Sequence, residues 1–527
     1  MKKNRHLLFS PHVIVLILSF FFISIILPVG YSFLRVDWST IVEVFSTPLF
    51  LESLLNSIIA ASCTTVISVI LAFCLAYIID RSHIKGKEVW RTLFVLPMLV
   101  PSIAHGFGLI NLLGDNGFLT QAFGINIHLY GMKGIVFGSV IYALPIAFLM
   151  FSDILRYVDS GVYDACRTLG IPKANVFFDI TLGLMKKQFL IVSSTIFTMV
   201  FTDYGVALAI GGKVSTLPVL LYREVIGLLD FSKGGFIAIL LLVPAILTFT
   251  LGRKTNNVEL DQVNGPEYTA TTNKTRDILY TIICAITAFI VLMPVISYTV
   301  MGLVEQYPKN MTFTLKHIQA VIYGGAGKTI YNSLVISLST ALIGTAIAYL
   351  IAYVSIRLPN KFMARAIYSL SVFPLVIPGI VLGLGYIQFF SFTPIYGTAF
   401  IIILVNMVHF FSAPYLMAYN SQIKIPKELE QAASTMGIKP MKYIRDILVP
   451  ATGGTIIEMF SFFFINSMVT ISAVAFLSNT KNMTIALLIN QYEAQMLFEE
   501  ASVVVLLILC TNLAFKVIVS QLKKHLF

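Results

Sequence analysis

The sequence predicts an all-α polytopic membrane protein of about twelve transmembrane helices, arranged as two parallel copies of one six-helix half. Three observations support this fold class. Of the 527 residues, 57% are apolar and only 12% are charged, about half the charged fraction of a typical soluble domain. The apolar residues form long uncharged runs, and several motifs recur in order in the second half of the chain. A soluble chain and a disulfide-stabilised chain are thereby excluded, since there are also only five cysteines.

Each uncharged run is long enough to cross a bilayer, because a hydrocarbon core of about 30 Å requires about 20 apolar residues in a helix. The first run is longer than the core of a signal peptide, so we predict that it is a retained helix. Prolines make the third run the least regular. The predicted spans are 12–34, 54–79, 92–113, 134–155, 189–211, 233–252, 278–302, 331–356, 366–390, 398–419, 453–477 and 501–520.

The positions of the Lys and Arg residues orient these spans. If the N-terminus is cytoplasmic, 27 of the 36 basic residues fall in cytoplasmic segments and nine fall outside, as the positive-inside rule requires. Topology and anionic lipid headgroups then account for the net charge of +11, and no nucleic-acid partner is predicted. We expect a multi-pass protein of the cell membrane with both termini in the cytoplasm.

Four stretches of the first half recur in the second. The pairs are Asn56–Arg81 with Asn332–Arg357, Leu96–Pro101 with Phe373–Pro378, Ala143–Pro145 with Ser412–Pro414, and Ala165–Gly170 with Ala432–Gly437. The predicted domains are a first half, 1–252, a polar cytoplasmic linker, 253–277, and a second half, 278–527. A parallel duplication places a pseudo-two-fold axis along the membrane normal and is typical of transporters.

The longest cytoplasmic loop of each half, 156–188 and 420–452, belongs to this repeat. The sequence of each loop predicts a short helix of small residues, then a glycine able to adopt a positive φ, and then a second helix. A compact helix–turn–helix at the membrane surface suits docking into a partner protein. The residues concerned are Asp164, Ala165, Cys166 and Gly170 in the first loop, and Glu430, Gln431, Ala432, Ala433 and Gly437 in the second.

In these residues the chain resembles the ABC importer permeases, whose EAA loop contains Glu-Ala-Ala, three further residues and Gly. The resemblance implies the MetI-like fold of type I importers, with a coupling helix in each loop that docks into a cytoplasmic ATPase. It also implies two copies of that ATPase and an extracytoplasmic substrate-binding protein as partners. Asp164 and Gln431 occupy the position of the family glutamate, with Glu430 adjacent. An ion pair to the ATPase is therefore expected to be shifted or lost in the second half.

The chain itself offers no candidate catalytic site. Gly324–Thr329 resembles a phosphate-binding loop, but the pattern requires a glycine where Ile322 stands. His and Cys show no metal-ligand spacing, and no Ser/His/Asp set is recognisable. We therefore predict a transport subunit rather than an enzyme, without a metal or cofactor of its own, and with ATP bound by the partner.

Polar side chains inside the spans are candidates for a substrate pathway, because ionisable groups at membrane depth are costly and usually face the bundle interior. In the family that the chain resembles, the fifth span of each half lines the pathway. That likeness implies a set of residues that line the pathway. The alternative for each of them is a polar side chain buried between packed helices. The set is Asp203, Tyr204, Asn466, Ser467, Thr470 and Ser472.

Other buried polar or small residues have simpler interpretations. His105 and His409 are expected to form interhelical hydrogen bonds, and Glu458 is expected nearer the cytoplasmic interface. Gly106, Gly379 and their glycine neighbours form small-xxx-small patterns, which favour close helix packing over ligand binding.

The substrate is suggested only by resemblance. Fused double permeases of this length transport ferric iron, thiamine or phosphonates, and four patches look most like the 2-aminoethylphosphonate permeases. The patches are Tyr222–Gly227 with Asp230–Gly235, Pro378–Tyr386, Val408–Phe410, and Asn466–Leu477. The likeness implies a phosphonate, with iron or thiamine as the alternative. A phosphonate favours Arg, Lys or helix N-termini, and no span centre contains Arg or Lys, which fits iron equally well.

Two other classes of protein also contain many spans. Secondary transporters of the major facilitator type have parallel six-helix repeats, but their Gly-x-x-x-Asp-Arg-x-Gly-Arg-Arg loop is reduced here to Asp80-Arg81. A channel is a third alternative, which duplication alone does not reject.

Overall fold

The computed structural model describes residues 11–124, 128–157, 160–255 and 272–526. In these ranges eight helices are long and apolar enough to cross a membrane, and four bent helix pairs raise the number of spans to as many as twelve. The predicted fold class is therefore confirmed. Most of the predicted linker lies outside the described residues.

The spans are numbered here in chain order. The spans formed by one helical stretch are span 1 (Pro11–Leu34), span 2 (Pro48–Arg81), span 4 (Met132–Arg156), span 5 (Val176–Thr202), span 6 (Phe231–Leu251), span 7 (Lys274–Gly302), span 8 (Lys316–Arg357), which has a kink at Gly325, and span 12 (Phe498–His525). The bent ones are span 3 (Lys87–Leu99 and Ser102–Phe123), span 9 (Lys361–Val376 and Gly379–Phe390), span 10 (Ala399–His409 and Ser412–Gln422) and span 11 (Pro440–Ala451 and Gly453–Val469).

Spans 3 and 9 bend at the repeated prolines, by 100° and 105°. Pro101 and Pro378 are extended, with ψ of 151° and 142°. Proline has no N–H to donate and keeps the residue before it out of the helical region. A run that hydropathy predicts as one helix is therefore two helices that meet at a corner.

Spans 5 and 11 end earlier than their apolar runs. The helices stop at Thr202 and Val469, and the next residues, Asp203 and Thr470, have extended ψ angles of 128° and 136°. Asp203 and Thr470 are related by the same offset as the repeated loops. The predicted ends at 211 and 477 are too late because apolar residues continue beyond the break in a short helix, Gly205–Ile210, and in a series of turns.

The chain divides into two compact units that recombine the two halves. The span-1 unit comprises 1–42, 224–242 and 316–527, and the span-7 unit comprises 43–223 and 243–315. Span 1 therefore packs with spans of the second half, while span 7 packs with spans of the first. The halves 1–252 and 278–527 describe the sequence repeat rather than these units.

Spans 1 and 7, the exchanged spans, are each bonded to their unit through a tyrosine hydroxyl, which belongs to span 9 in the first case and to span 7 itself in the second. In the span-1 unit the hydroxyl of Tyr386 donates to the carbonyl of Ser24 at 2.9 Å, and in the span-7 unit that of Tyr298 donates to Ala104 at 2.9 Å. Beside each bond a glycine touches a proline of the exchanged span. A Cβ on Gly385 would lie 2.8 Å from the carbonyl carbon of Pro28, and one on Gly108 would lie 2.8 Å from the Cα of Pro294.

Short elements connect the spans. They include the helices Trp38–Ser46, Leu217–Tyr222 and Ile485–Ala494, and the antiparallel strands Val304–Gln306 and Asn310–Phe313. Tyr307, between the two strands, donates its hydroxyl to the carbonyl of Asn111 at 3.0 Å, which fastens this hairpin to span 3 within the span-7 unit.

A buried carboxyl in one of these connectors gives the stability of the chain a pH dependence. Glu493 is 9% exposed and occupies the place of the buried Val225 when the helices starting at Leu217 and Ile485 are aligned. Burial, reinforced by the charge of Glu499, raises the pKa of Glu493 from 4.5 to about 8. Between these values the folded chain holds a proton that the unfolded chain has released, so stability should fall as the pH rises from about 4.5 through 8.

The expected slope is at most about 1.4 kcal/mol per pH unit. Measured as the midpoint of thermal unfolding in detergent at pH 5, 6.5 and 8, the Glu493→Gln variant should show a shallower decline than the parent protein. Parallel declines in the two proteins would mean that Glu493 is ionised in the folded state.

Candidate coupling and pathway sites

The two repeated loops each contain the predicted short helix, Ser160–Thr168 (the first loop helix) and Lys427–Thr435 (the second loop helix). Gly170 and Gly437 follow them with φ of +69° and +71°, in the left-handed conformation that was predicted. Both helices end in a Schellman motif, in which two backbone N–H groups satisfy the last carbonyls. The bonds are Ile171 to Cys166 (3.0 Å) and Gly170 to Arg167 (3.2 Å), and Ile438 to Ala433 (2.9 Å) and Gly437 to Ser434 (3.1 Å).

Each loop helix buries a small residue at an equivalent position and exposes an apolar residue towards each end. Cys166 and its counterpart Ala433 are buried. The predicted coupling residues Asp164, Ala165, Gln431 and Ala432 are exposed. The exposed apolar residues also occupy equivalent positions, namely Val162 and Leu429 near the beginning and Leu169 and Met436 after the last turn, the latter two both 76% exposed. The two loop helices therefore share the positions of their exposed apolar residues as well as their backbone conformation.

Glu430 differs from the other predicted coupling residues because its carboxylate is bound within the chain. Its Oε2 lies 3.0 Å from Nε of Arg357, and its Oε1 accepts a hydrogen bond of 2.6 Å from the hydroxyl of Tyr353. The second loop helix consequently exposes the neutral Gln431 where the first exposes Asp164.

The first loop helix is held by an equivalent arginine through a different contact. The guanidinium carbon of Arg81 lies 4.9 Å from the ring centroid of Tyr163, and Tyr163 occupies the repeat position of Glu430. Sequence reasoning missed these contacts, although Arg81 and Arg357 both end the stretch that carries the repeat. The shared position of the two arginines at the end of the repeat is the sequence signal that indicates them.

The candidate pathway residues of the first half lie at the corner where span 5 breaks. The carboxylate of Asp203 accepts the backbone N–H of Val206 at 3.0 Å and bonds to the hydroxyl of Ser102, the first residue after the bend of span 3. Tyr204 is buried and stacks on Tyr222 with 5.4 Å between the ring centroids. Asp203 therefore joins the broken end of span 5 to the helix start in span 3.

The second half builds a matching corner in the span-1 unit. The backbone N–H of Thr470 donates to Asn466 at 3.0 Å. Ser467 is buried and accepts a hydrogen bond of 2.9 Å from the amide of Asn406. Ser472 lies against Gly379, the first residue after the bend of span 9. The predicted residues are thus brought to one corner, with Asn406 as a member that sequence reasoning missed.

Each corner contains a facing serine and glycine, and the two residue types occupy opposite positions in the two halves. In the first, Ser102 of span 3 faces Gly205, whereas in the second Gly379 of span 9 faces Ser472. A Cβ on either glycine would overlap the hydroxyl of the facing serine. Each serine–glycine pair therefore places the serine hydroxyl beside a helix start and a helix break. Discontinuous helices of this kind form substrate sites in transporters.

The remaining predicted residues lie near or apart from these corners. The ring of His105 lies 5.9 Å from that of Tyr142, and a Cβ on Gly379 would lie 3.0 Å from Nε2 of His409. The hydrogen bonds expected of the two histidines stay predictions. Glu458 forms an ion pair with Lys523 near the end of span 12. Among the described residues, no group of three or more His, Cys, Asp and Glu could hold a metal ion.

The segment that follows each corner is fixed by a serine of span 2 or span 8. The backbone N–H of Leu217 donates to Oγ of Ser57 at 2.7 Å, and that of Ile485 donates to Oγ of Ser333 at 2.6 Å. All four residues are buried. The repeated Ser57 and Ser333 therefore satisfy the first N–H of a helix that begins there.

Removing either hydroxyl should leave a buried N–H without a partner, which costs about 1–3 kcal/mol. We expect Ser57→Ala and Ser333→Ala to lower the midpoint of thermal unfolding by several degrees. Ser32→Ala is the matched control, because the buried hydroxyl of Ser32 donates only to the carbonyl four residues earlier. Equal midpoints for all three variants would contradict the capping role.

A membrane protein with up to twelve spans among its described residues, repeated motifs in both halves and an equivalent surface helix in each half has the architecture of a transport permease. The family model described as the inner membrane component of binding-protein-dependent transport systems matches residues 72–254 and again residues 344–526. The chain therefore belongs to this family of ABC importer permeases, and it contains two copies of the family's domain.

Curated relatives extend over most of the chain. The putative ferric transport system permease protein FbpB 1 of Haemophilus influenzae is 22% identical over 501 residues, covering 90% of this chain and 79% of its own length. The ferric transport system permease protein FbpB of Actinobacillus pleuropneumoniae is 22% identical, covering 88% and 70%. The thiamine transport system permease protein ThiP of H. influenzae is 26% identical over 38% of each chain.

Family membership establishes the coarse function. The chain is a multi-pass inner membrane protein and a transport subunit, and its family works with a separate ATPase and a substrate-binding protein. This result supports the importer interpretation over a secondary transporter or a channel.

Proposed function

We propose that this chain forms the whole membrane pathway of a ferric iron importer, with both termini in the cytoplasm and one ATPase subunit docked on each loop helix. The observation that carries the proposal is the repeated loop helix. The same Schellman end and equivalent exposed apolar residues recur in both halves, as expected if two copies of one partner bind two equivalent surfaces.

The proposed route passes the two corners that contain Asp203 and Ser472. Each corner combines a broken span with the first turn of another helix, so backbone groups as well as hydroxyls are available to a passing polar substrate. Movement of the loop helices, driven by ATP in the partner, would be passed along the spans to these corners. The chain itself supplies binding, shape and movement rather than bond chemistry.

Iron is proposed as the substrate because the two relatives that match 90% and 88% of this chain are named as ferric transport permeases. Thiamine is the second candidate, supported by relatives that share shorter regions. The patches that suggested a phosphonate do not outweigh these similarities, which extend over 88–90% of this chain. The phosphonate expectation is therefore replaced by its iron alternative.

The test is uptake into proteoliposomes that contain the chain, its ATPase and its binding protein. We expect ATP-dependent accumulation of radioactive ferric iron, and no accumulation of thiamine or 2-aminoethylphosphonate. Accumulation of one of those compounds instead of iron would overturn the substrate but leave the importer standing. Transport driven by a proton gradient without the ATPase would overturn the importer itself.

Copy number is tested on the purified complex. Mass measurement in detergent should give two ATPase subunits for each chain. A ratio of one would show that only one of the two loop helices is a docking site.

A further inference from the structure

One arginine in each unit ties the loop helix to a long span. Arg357, the last residue of span 8, donates from Nη2 to the carbonyl of Ile425 at 3.1 Å while its Nε pairs with Glu430. Arg81, the last residue of span 2, donates from Nη2 to the carbonyl of Leu155 at 2.9 Å while its guanidinium covers Tyr163. Each arginine thus connects its span, the chain before the loop helix, and the loop helix itself.

Both guanidinium groups are withdrawn from solvent. The Arg81 residue is 6% exposed, and the Arg357 side chain is 5% exposed. A buried charge that loses its partner is strongly destabilising, so these contacts resist separation when one element is displaced. Of the second loop helix itself only Ala433 is buried, which makes the arginine a main connection between this helix and the bundle.

The partner of the arginine differs between the halves. In the second half it is the carboxylate of Glu430, further bound by Tyr353, and in the first half it is the aromatic face of Tyr163. A guanidinium suits both, because it is planar, permanently charged and able to pair with carboxylates or stack on rings. The position of the arginine contact is therefore the same in both halves, while the chemical type of its partner differs.

We propose that Arg81 and Arg357 are positioning residues that transmit movement of the loop helices to spans 2 and 8, through a cation–π contact in one half and an ion pair in the other. The inference rests on the proposed function, since it takes the loop helices to be moved by the ATPase. A loop helix held in this way carries the end of its span along instead of sliding past it.

The test compares movement of the loop helices with movement of the spans in the full complex in lipid nanodiscs. A background without native cysteines, with Cys166→Ala matching Ala433, receives pairs of nitroxide labels. One pair, at Thr168 and Thr435, reports on the loop helices. The other pair, at the lipid-exposed counterparts Val66 and Leu342, reports on spans 2 and 8. Distances within each pair are measured by pulsed electron paramagnetic resonance before and after trapping with ATP and vanadate.

In the parent both pairs should change distance on trapping. In Glu430→Leu and Tyr163→Leu, which remove the partner of one arginine, the loop-helix pair should still respond, while the response of the span pair falls by at least half. Glu430→Tyr and Tyr163→Glu, which give each half the other half's partner, should keep the parent response. Glu430→Gln removes the charge but keeps an acceptor for Tyr353, and it replaces Glu430→Leu if that variant fails to assemble.

The outcomes separate the two proposals. A parent chain that binds no ATPase, or whose loop-helix pair does not respond, refutes the coupling role and this inference with it. A responding parent whose Leu and Gln variants move their spans by the parent distance refutes the transmission role alone. Loss of the span response in the exchanged variants as well as in the Leu variants would refute the equivalence of the two contacts.

Discussion

A chain with valine in place of both Gly170 and Gly437 is expected to insert into the membrane normally and to lose its ATPase. Both glycines have a left-handed φ, and a Cβ would meet no atom within 4 Å at either position. The effect is therefore backbone strain rather than a clash. The left-handed region costs an L-residue about 1–2 kcal/mol and a β-branched one more, and 1.4 kcal/mol corresponds to a tenfold change in an equilibrium.

Each single variant should weaken ATPase binding about tenfold, and the double variant about 100-fold if the two strains add. The measurement is co-purification of the ATPase from solubilised membranes, followed by titration of the purified chain. Gly183→Val is the matched control, because Gly183 lies in a helix, has equally open surroundings and has no left-handed φ. Retention of the ATPase by the double variant would show that the two glycine turns are not required for docking.

The largest loss of stability is expected from valine at Gly108 or Gly385. There a Cβ would lie 2.8 Å from backbone atoms of Pro294 or Pro28, and a proline backbone inside a helix cannot turn aside as a side chain can. The exchanged span would have to move away, which also endangers the bond from Tyr298 or Tyr386. We expect a cost of about 3 kcal/mol or more, at the upper end of the range for overpacking.

The measurement is the midpoint of thermal unfolding and the yield of monodisperse chain in detergent. Gly30→Val provides the comparison, since Gly30 lies in span 1 two residues after Pro28 and a Cβ there would have open space around it. Midpoints for Gly385→Val and Gly108→Val that match Gly30→Val would show that the exchanged spans are packed more loosely than these Cβ distances indicate.

The sequence predicted features that depend on one residue type in a local setting. The positive φ of Gly170 and Gly437 followed from a glycine placed after a short helix, and the small-residue patterns around Gly106 and Gly379 correspond to close approaches to Ala209 and Ser472. The breaks at Asp203 and Thr470 escaped prediction because apolar residues continue beyond them, and hydropathy does not distinguish a helix from an apolar turn.

Pairings between distant residues were harder to foresee. Hydropathy locates a span without indicating its neighbours, so nothing in the sequence alone assigns span 1 to the second-half helices. Arg81 and Arg357 were matched as repeats, but Tyr163 and Glu430 are chemically unlike, so comparison of the two halves did not reveal their shared role. The candidate corners were found in part, through Asp203 and Ser472, and their facing residues Ser102 and Gly379 required the fold.

The exchange of spans 1 and 7 sets an order on the biogenesis of the chain. Ser24 of span 1 accepts its bond from a tyrosine 362 residues later, and at a synthesis rate of about 5–20 residues per second that partner emerges roughly 20–70 s afterwards. Span 7 meets the reverse situation, since its partner Ala104 precedes it by 194 residues and is already in the bilayer. Span 1 is thus seated only after most of the chain has been made, and for that interval its glycine-contacting face is open to lipid, chaperones or proteases.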